Sequence, residues 1–259
     1  NIYSVAEYTR RLLALKGPTQ VVSTACSSSA KVFASAYRQM HAGVCDVAIV
    51  GGVDTLCLTT LYGFNSLELL SRQKCKPWDI DRNGINIGDG AGFAILEWAQ
   101  EKDNAISLLG YGESSDAHHM STPHPQGRGA IQAMTKALDS ASLTASQIDY
   151  INLHGTATRS NDSAEDLAVS SVFGEQVHCS STKGWTGHTL GASGIIGVVT
   201  TCLGIENDLL PVSINTVEKD PALKANIVLK KTTAPVEHAI INSFGFGGSN
   251  CSLLVGRKS

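Results

Sequence analysis

Residues 21–42 read VVSTACSSSAKVFASAYRQMHA, and their order decides the fold. Residues 21–25 form a short apolar run of strand length. Residues 27–42 follow at once as a helix of small residues closed by Gly43, so the segment is a strand turning directly into a helix. Upstream, residues 4–15 place Val5, Tyr8, Leu12 and Leu15 on one side of a helix that ends at Gly17-Pro18. Downstream, residues 46–53 (DVAIVGGV) and 90–98 (GAGFAILEW) read as buried strands, separated by a loop-rich section, 56–88.

A second round begins near Asn104. It runs strand 107–112, helix 129–141, strand 148–153 ending at His154-Gly155, helix 164–172 and strand 177–181. It closes with a buried helix 190–205 and strands 239–243 and 249–255. Alternating strands and helices predict an α/β fold with a sheet covered on both faces. GDGAGFAIL (88–96) and GFGGSNCSLLV (245–255) are alike, each a Gly-rich turn into an apolar strand, which suggests duplicated halves, 1–103 and 104–259. Cys26 lies early in its round and His188 deep in its own. The first half is therefore expected to lack elements on its N-terminal side.

Composition narrows the function. The chain has 259 residues, 42% hydrophobic and 17% charged, against a usual charged share of about 25%. That balance excludes disorder and points to an extensive interface. The net charge is −3 and no basic stripe is present, so nucleic acid is not an expected partner. The seven cysteines are odd in number and hold no C-x-x-C pair, which argues against a zinc site or a disulfide framework and fits a reducing cytoplasm. Asn1-Ile2-Tyr3 shows no basic region leading into an apolar one, so no signal peptide is expected. Residues 184–205 lack any charged side chain, yet their glycines, threonines and His188 make the first part a loop and the remainder a core helix rather than a membrane span.

Cys26 sits where strand becomes helix. There the free amides are expected to lower its thiol pKa towards physiological pH and to donate to an oxyanion formed by attack on a carbonyl. A buried structural cysteine is the competing reading. His154 (in YINLHGTAT) and His188 (in KGWTGHTLGASG) sit beside glycines at turns and are expected to face a cavity; no third ligand has metal-binding spacing to either, so no metal is expected. His118, His119 and His124 form a separate loop cluster at the surface or a cavity rim. Lys183 is read as semi-buried at the end of strand CSSTK, with Asp162 and Glu165 as carboxylates that could pair with it. The glycines of NSFGFGGSN (242–250) let backbone approach closely, so an amide near Phe246 is a candidate second oxyanion donor.

STACSSSA, HGTAT, STKGWTGHTLGASG and NSFGFGGSN, in this order, together resemble the beta-ketoacyl-acyl-carrier-protein synthases of the thiolase-like fold. KPWD (76–79), GDGAG (88–92) and SSDAHHM (114–120) match as well. The resemblance implies a duplicated five-layered α/β/α/β/α architecture. It implies Cys26 as acyl-accepting nucleophile, His154 and His188 as neutral Nε2–H donors to a malonyl thioester oxygen without strong acid–base shifts, and Lys183 as organiser of both. Thr156 and Thr158 would bind the phosphopantetheine arm, Phe246 would gate the nucleophile, and Phe64 and Phe244 would line the substrate pocket, with Asp162 and Glu165 added to that set.

The implied activity is decarboxylative Claisen condensation with malonyl-acyl carrier protein, in fatty acid or related polyketide or polyene synthesis. The carrier is then the partner, in a homodimer or a ketosynthase heterodimer, and no cofactor is tightly bound. Two positions depart from the family pattern: Gly197 stands where a glutamate partner of Lys183 is usual, and Glu68 stands where a basic residue faces the carrier. They keep a second reading open, a non-elongating partner subunit that sets chain length, although such partners typically lack the cysteine. A thiolase would use a second cysteine instead of the HGTAT and GHTLGAS pair.

Overall fold

The computed structural model describes residues 1–100 and 105–257. Its first part contains helices α1 (Ser4–Leu12) and α2 (Ser28–His41), strand β1 (Val47–Asp54), helix α3 (Leu58–Ser66) and strand β2 (Gly90–Glu97). The second opens with β3 (Ile106–Ser115), α4 (Arg128–Ala141), β4 (Tyr150–Asn152), α5 (Arg159–Phe173), β5 (His178–Ser180) and the single turn α6 (Lys183–Thr186). It continues through α7 (Ser193–Glu206), β6 (Leu209–Leu210), β7 (Asn226–Ile227), β8 (Thr232–Thr233), β9 (His238–Gly245) and β10 (Ser249–Arg257). The boundary expected at residues 103 and 104 lies outside the described residues.

Six strands make the central sheet, in the order β3-β10-β9-β4-β5-β7. β3, β10 and β9 run antiparallel, whereas β9, β4, β5 and β7 run parallel. Neighbouring residues on its inner strands serve opposite cores. Ile241 and Leu253 belong to one apolar cluster with Ala30, Phe33, Ile195 and Val198 from α2 and α7. Ile240 and Leu254 belong to the other, with Met134 and Ala137 of α4 and Val169 of α5. A strand covered on both faces has no polar side to show, which is why Leu253, Leu254 and Val255 follow one another without alternation.

β1 and β2 pair antiparallel over their whole length as a second sheet on the far side of α2 and α7. The described residues thus form four layers of an α/β fold: sheet, helix pair, sheet, helix pair. The two strands were expected to be buried and are not. β2 alternates strictly, with Phe93 at 48% and Ile95 at 67% exposure, while Gly92 packs under Ile195. One face meets the helices and the other meets no element among the described residues.

Three further expectations change. Residues 21–25 join no strand; beyond an isolated bridge at Thr24 and Cys26 no neighbour among the described residues supplies a ladder. The section 56–88 contains α3, whose Leu58 and Tyr62 are exposed. Lys183 opens a helical turn rather than ending a strand. No helix of the described residues is long and apolar enough to cross a membrane.

Candidate active site

Two loops meet where α2 and α7 cross. Ala25 takes a positive φ of 52°, an uncommon conformation for a residue with a side chain, and this turns Cys26 inwards one residue before the Ser27 cap of α2. Ser193, at the start of α7, donates to the Cys26 carbonyl (3.2 Å), and Ile195 N–H donates to Ser29 (3.0 Å). The crossing is close because Gly194 has no Cβ: one built there would lie 2.4 Å from the Ala30 nitrogen.

His188 Nε2 lies 3.1 Å from Cys26 Sγ. Its backbone is clamped, with its N–H donating to Asn86 O (2.7 Å) and its carbonyl accepting from Gly88 N–H (3.0 Å). His154 stands edge-on to His188, with ring centroids 5.3 Å apart and planes 81° apart. The Phe246 and Cys26 amides both direct N–H groups at the sulfur. Cys26, His154, His188, Thr156, Thr158, Phe64, Phe244 and Phe246 line one cavity of about 60 Å³, so eight of the expected residues converge. Phe64 and Phe246 face one another at 5.4 Å between ring centroids.

Lys183 is buried and its ammonium donates to the His154 carbonyl. It makes no ion pair with Asp162 or Glu165 among the described residues. Those two carboxylates, expected in the substrate-binding set, are also buried and stand outside the cavity lining. They hold the HGTAT loop from behind. Glu165 accepts His154 N–H and Gly155 N–H, each at 2.8 Å, and Asp162 accepts Ala157 N–H (3.1 Å) and Trp78 N–H (3.0 Å). Backbone amides replace the lysine as their partners because α5 begins at Arg159, capped by Thr158, and brings both side chains under the loop. Arg82, also buried, joins Asp220 (2.6 Å) and lies 3.6 Å from Asp162.

Burial pushes the Cys26 thiol up to about 11, against the opposing pull of Lys183 and the two amides. The helix N-terminus therefore does not bring the free thiol to physiological pH, because desolvation of the thiolate outweighs it. His154 and His188 are both driven well below the ordinary imidazole value, by burial and then by the Lys183 charge. Neutral imidazoles result, though through strong shifts rather than without them. Burial raises Asp162 to about 6 and Glu165 to about 7.

His118 and His124 lie with ring centroids 5.0 Å apart and planes tilted by 55°, and His119 reaches the cavity rim. Glu68 is exposed with φ 57°, and Gly197 lies against Ile241 and Asn152. Arg82 and Asn86 were not anticipated. For Asn86 a signal existed, a polar residue between two isoleucines in GINIG (84–88).

Two family models match the chain: "Beta-ketoacyl synthase, N-terminal domain" over residues 6–102 and "Beta-ketoacyl synthase, C-terminal domain" over 106–217. Among curated relatives, the mitochondrial 3-oxoacyl-[acyl-carrier-protein] synthase of Arabidopsis thaliana is 37% identical over 92% of this chain and 56% of its own length. The 3-oxoacyl-[acyl-carrier-protein] synthase 2 of Vibrio cholerae is 35% identical over 94% of this chain and 63% of its own. The chain thus spans less than two thirds of the length of these relatives. Among solved structures, the Xenorhabdus doucetiae ketosynthase ApeO in complex with its chain length factor ApeC superposes with a TM-score of 0.94 at 42% identity, covering 100% of this chain and 65% of that one. The ishigamide ketosynthase/chain length factor gives 0.94 at 30% identity, covering 100% of this chain and 66% of that one.

Proposed function

The chain belongs to the beta-ketoacyl synthase family, of thiolase-like fold, and from that premise we propose that it carries the catalytic centre of a 3-oxoacyl-acyl-carrier-protein synthase. One observation carries the reading: a cysteine sulfur 3.1 Å from one buried neutral imidazole, beside a second, with two backbone amides aimed at it. In the first half-reaction Cys26 sulfur attacks an acyl thioester carbonyl. The new C–S bond forms, the carrier's C–S bond breaks, and the thiol proton leaves on the departing carrier thiol. The oxyanion between is held by the Cys26 and Phe246 amides.

In the second half-reaction a malonyl thioester loses CO2. The electron pair of the broken C–C bond becomes an enolate, whose oxygen takes Nε2–H bonds from His154 and His188. The enolate carbon attacks the acyl-Cys26 carbonyl, and the C–S bond to Cys26 breaks. The product is a 3-oxoacyl thioester two carbons longer. Neutral histidines suit this role, since a donor is needed and a proton transfer is not. Lys183 fixes His154 through its carbonyl, and Thr156 and Thr158, with hydroxyls 2.9 Å apart on the cavity wall, suit the amides of a pantetheine arm. The arm arrives on the acyl carrier protein, so no tightly bound cofactor is required. The expected setting is a cytoplasmic dimer in fatty acid, polyketide or polyene synthesis.

Intact-mass measurement of the full-length protein with a panel of acyl-carrier proteins tests the reading. An acyl adduct on wild type and none on Cys26→Ala is expected, with 3-oxoacyl product once malonyl carrier is added. The second reading, a non-elongating partner that sets chain length, draws support from a buried Lys183 lacking an ion pair and from the chain length factors beside both solved ketosynthases. Absence of an adduct with every donor would favour it.

A further inference from the structure

Asn86 stands behind His188 and ties together two parts of the site. Its Nδ2 donates to Ser71 O (3.2 Å) and Gln73 O (2.9 Å), and its Oδ1 accepts Cys75 N–H (2.7 Å). One side chain therefore folds the loop 71–75 around itself. The peptide oxygen of the same residue takes the His188 N–H at 2.7 Å. There is no slack on the histidine side: Gly187 has a φ of 67°, and a Cβ there would lie 3.0 Å from that oxygen. The loop is strapped a second time, since Asn215 Nδ2 bridges Cys75 O and Gly184 O, each at 3.0 Å, next to Lys183.

We propose that Asn86 is a positioning residue: by pinning its own peptide to the loop 71–75 it fixes the backbone from which His188 reaches Cys26. The calling of His188 catalytic rests on the function proposed above, but the His188–Cys26 contact does not. With its proton on Nε2, the tautomer that the enolate-binding role above requires, His188 donates to the sulfur and stabilises the thiolate, so a slackened His188 makes Cys26 harder to ionise. His188 is the titratable group in contact with the sulfur, and of the charged groups around it Lys183 favours the thiolate and Asp54 opposes it; His154 stands edge-on to His188.

The test is the pH dependence of Cys26 alkylation by iodoacetamide in the full-length protein, read at the Cys26 peptide by mass. Asn86→Ala is expected to lower the rate at pH 8 by about three- to tenfold and to move the midpoint upwards, in the direction of His188→Ala. Ser71→Ala removes the hydroxyl's bonds to Asn83 (2.6 Å) and Gln73 N–H (3.0 Å) but keeps the Ser71 and Gln73 carbonyls that Asn86 holds, and is expected to stay within about twofold of wild type. Where Asn86→Ala fails to fold, Asn86→Ser provides the measurement. An unchanged midpoint in the Asn86 variant, an equal shift in Ser71→Ala, or no shift in His188→Ala would each overturn the proposal. An alkylation shift in a protein that forms no acyl adduct would uphold it and defeat the condensing reading instead.

Discussion

At the residue scale, the Lys183 charge adds to the burial that keeps both histidines neutral. Lys183 and the two histidines share one buried volume, and a cation there penalises a second. Replacing it by the uncharged Lys183→Met removes the Coulombic part of the depression on both imidazoles and leaves the burial part. The acid limb of decarboxylation, followed as CO2 released from a malonyl carrier, should therefore move to higher pH. An unmoved limb would mean that burial alone keeps the imidazoles neutral. The sequence marked Cys26, His154, His188 and Lys183 through turn residues and motif order. It misjudged the thiol because the helix-terminus argument is local, whereas the burial of the sulfur is completed by distant parts of the chain such as His188, 162 positions away and 3.1 Å from it.

At the element scale, the crossing of α2 and α7 sets the nucleophile against His188. Gly194→Ala puts a methyl 2.4 Å from backbone, which cannot rotate away, and should cost about 1–3 kcal/mol in urea unfolding. Gly63→Ala in α3, with nothing within 4 Å of its Cβ, should instead stabilise by about 0.5–1 kcal/mol. Reversed signs would remove the crossing from the account. α2, α4, α7, β9 and β10 were legible because their apolar residues are buried. α3 was not, since Leu58 and Tyr62 point outwards and Gly63, Asn65 and Ser66 imitate a loop. The start of α5 was missed because Ser160, Asn161 and Asp162 look like a turn, although Asn161 and Asp162 bond to the loop above through Thr158 and Ala157. The two-residue strands β6, β7 and β8 carry too few positions for any period to show.

For the whole molecule, two buried carboxylates and two buried imidazoles pull pH-dependent stability in opposite directions. Asp162 and Glu165 titrate higher in the fold, near 6 and 7, than their ordinary 3.8 and 4.5, so the stability linked to them falls as pH rises between those values. The histidines titrate lower in the fold, so their contribution is lost as pH falls below about 6.5. The urea midpoint should change little from pH 5 to 6.5. Glu165→Gln deletes one carboxylate from the balance, and its midpoint should rise over the same range; a flat profile in that variant would refute the opposition.

The cavity beside Cys26, at about 60 Å³, has room for a few waters but not for an acyl chain while Phe64 and Phe246 face each other. Small flat electrophiles can reach the sulfur with the rings at rest, whereas long-tailed ones wait for them to part. Their apparent affinity is multiplied by the fraction of time the rings stand open, and so falls with it. Inhibitor selectivity by tail length would then be a matter of waiting time, and a compound ranked poor at short incubation could rank well after an hour.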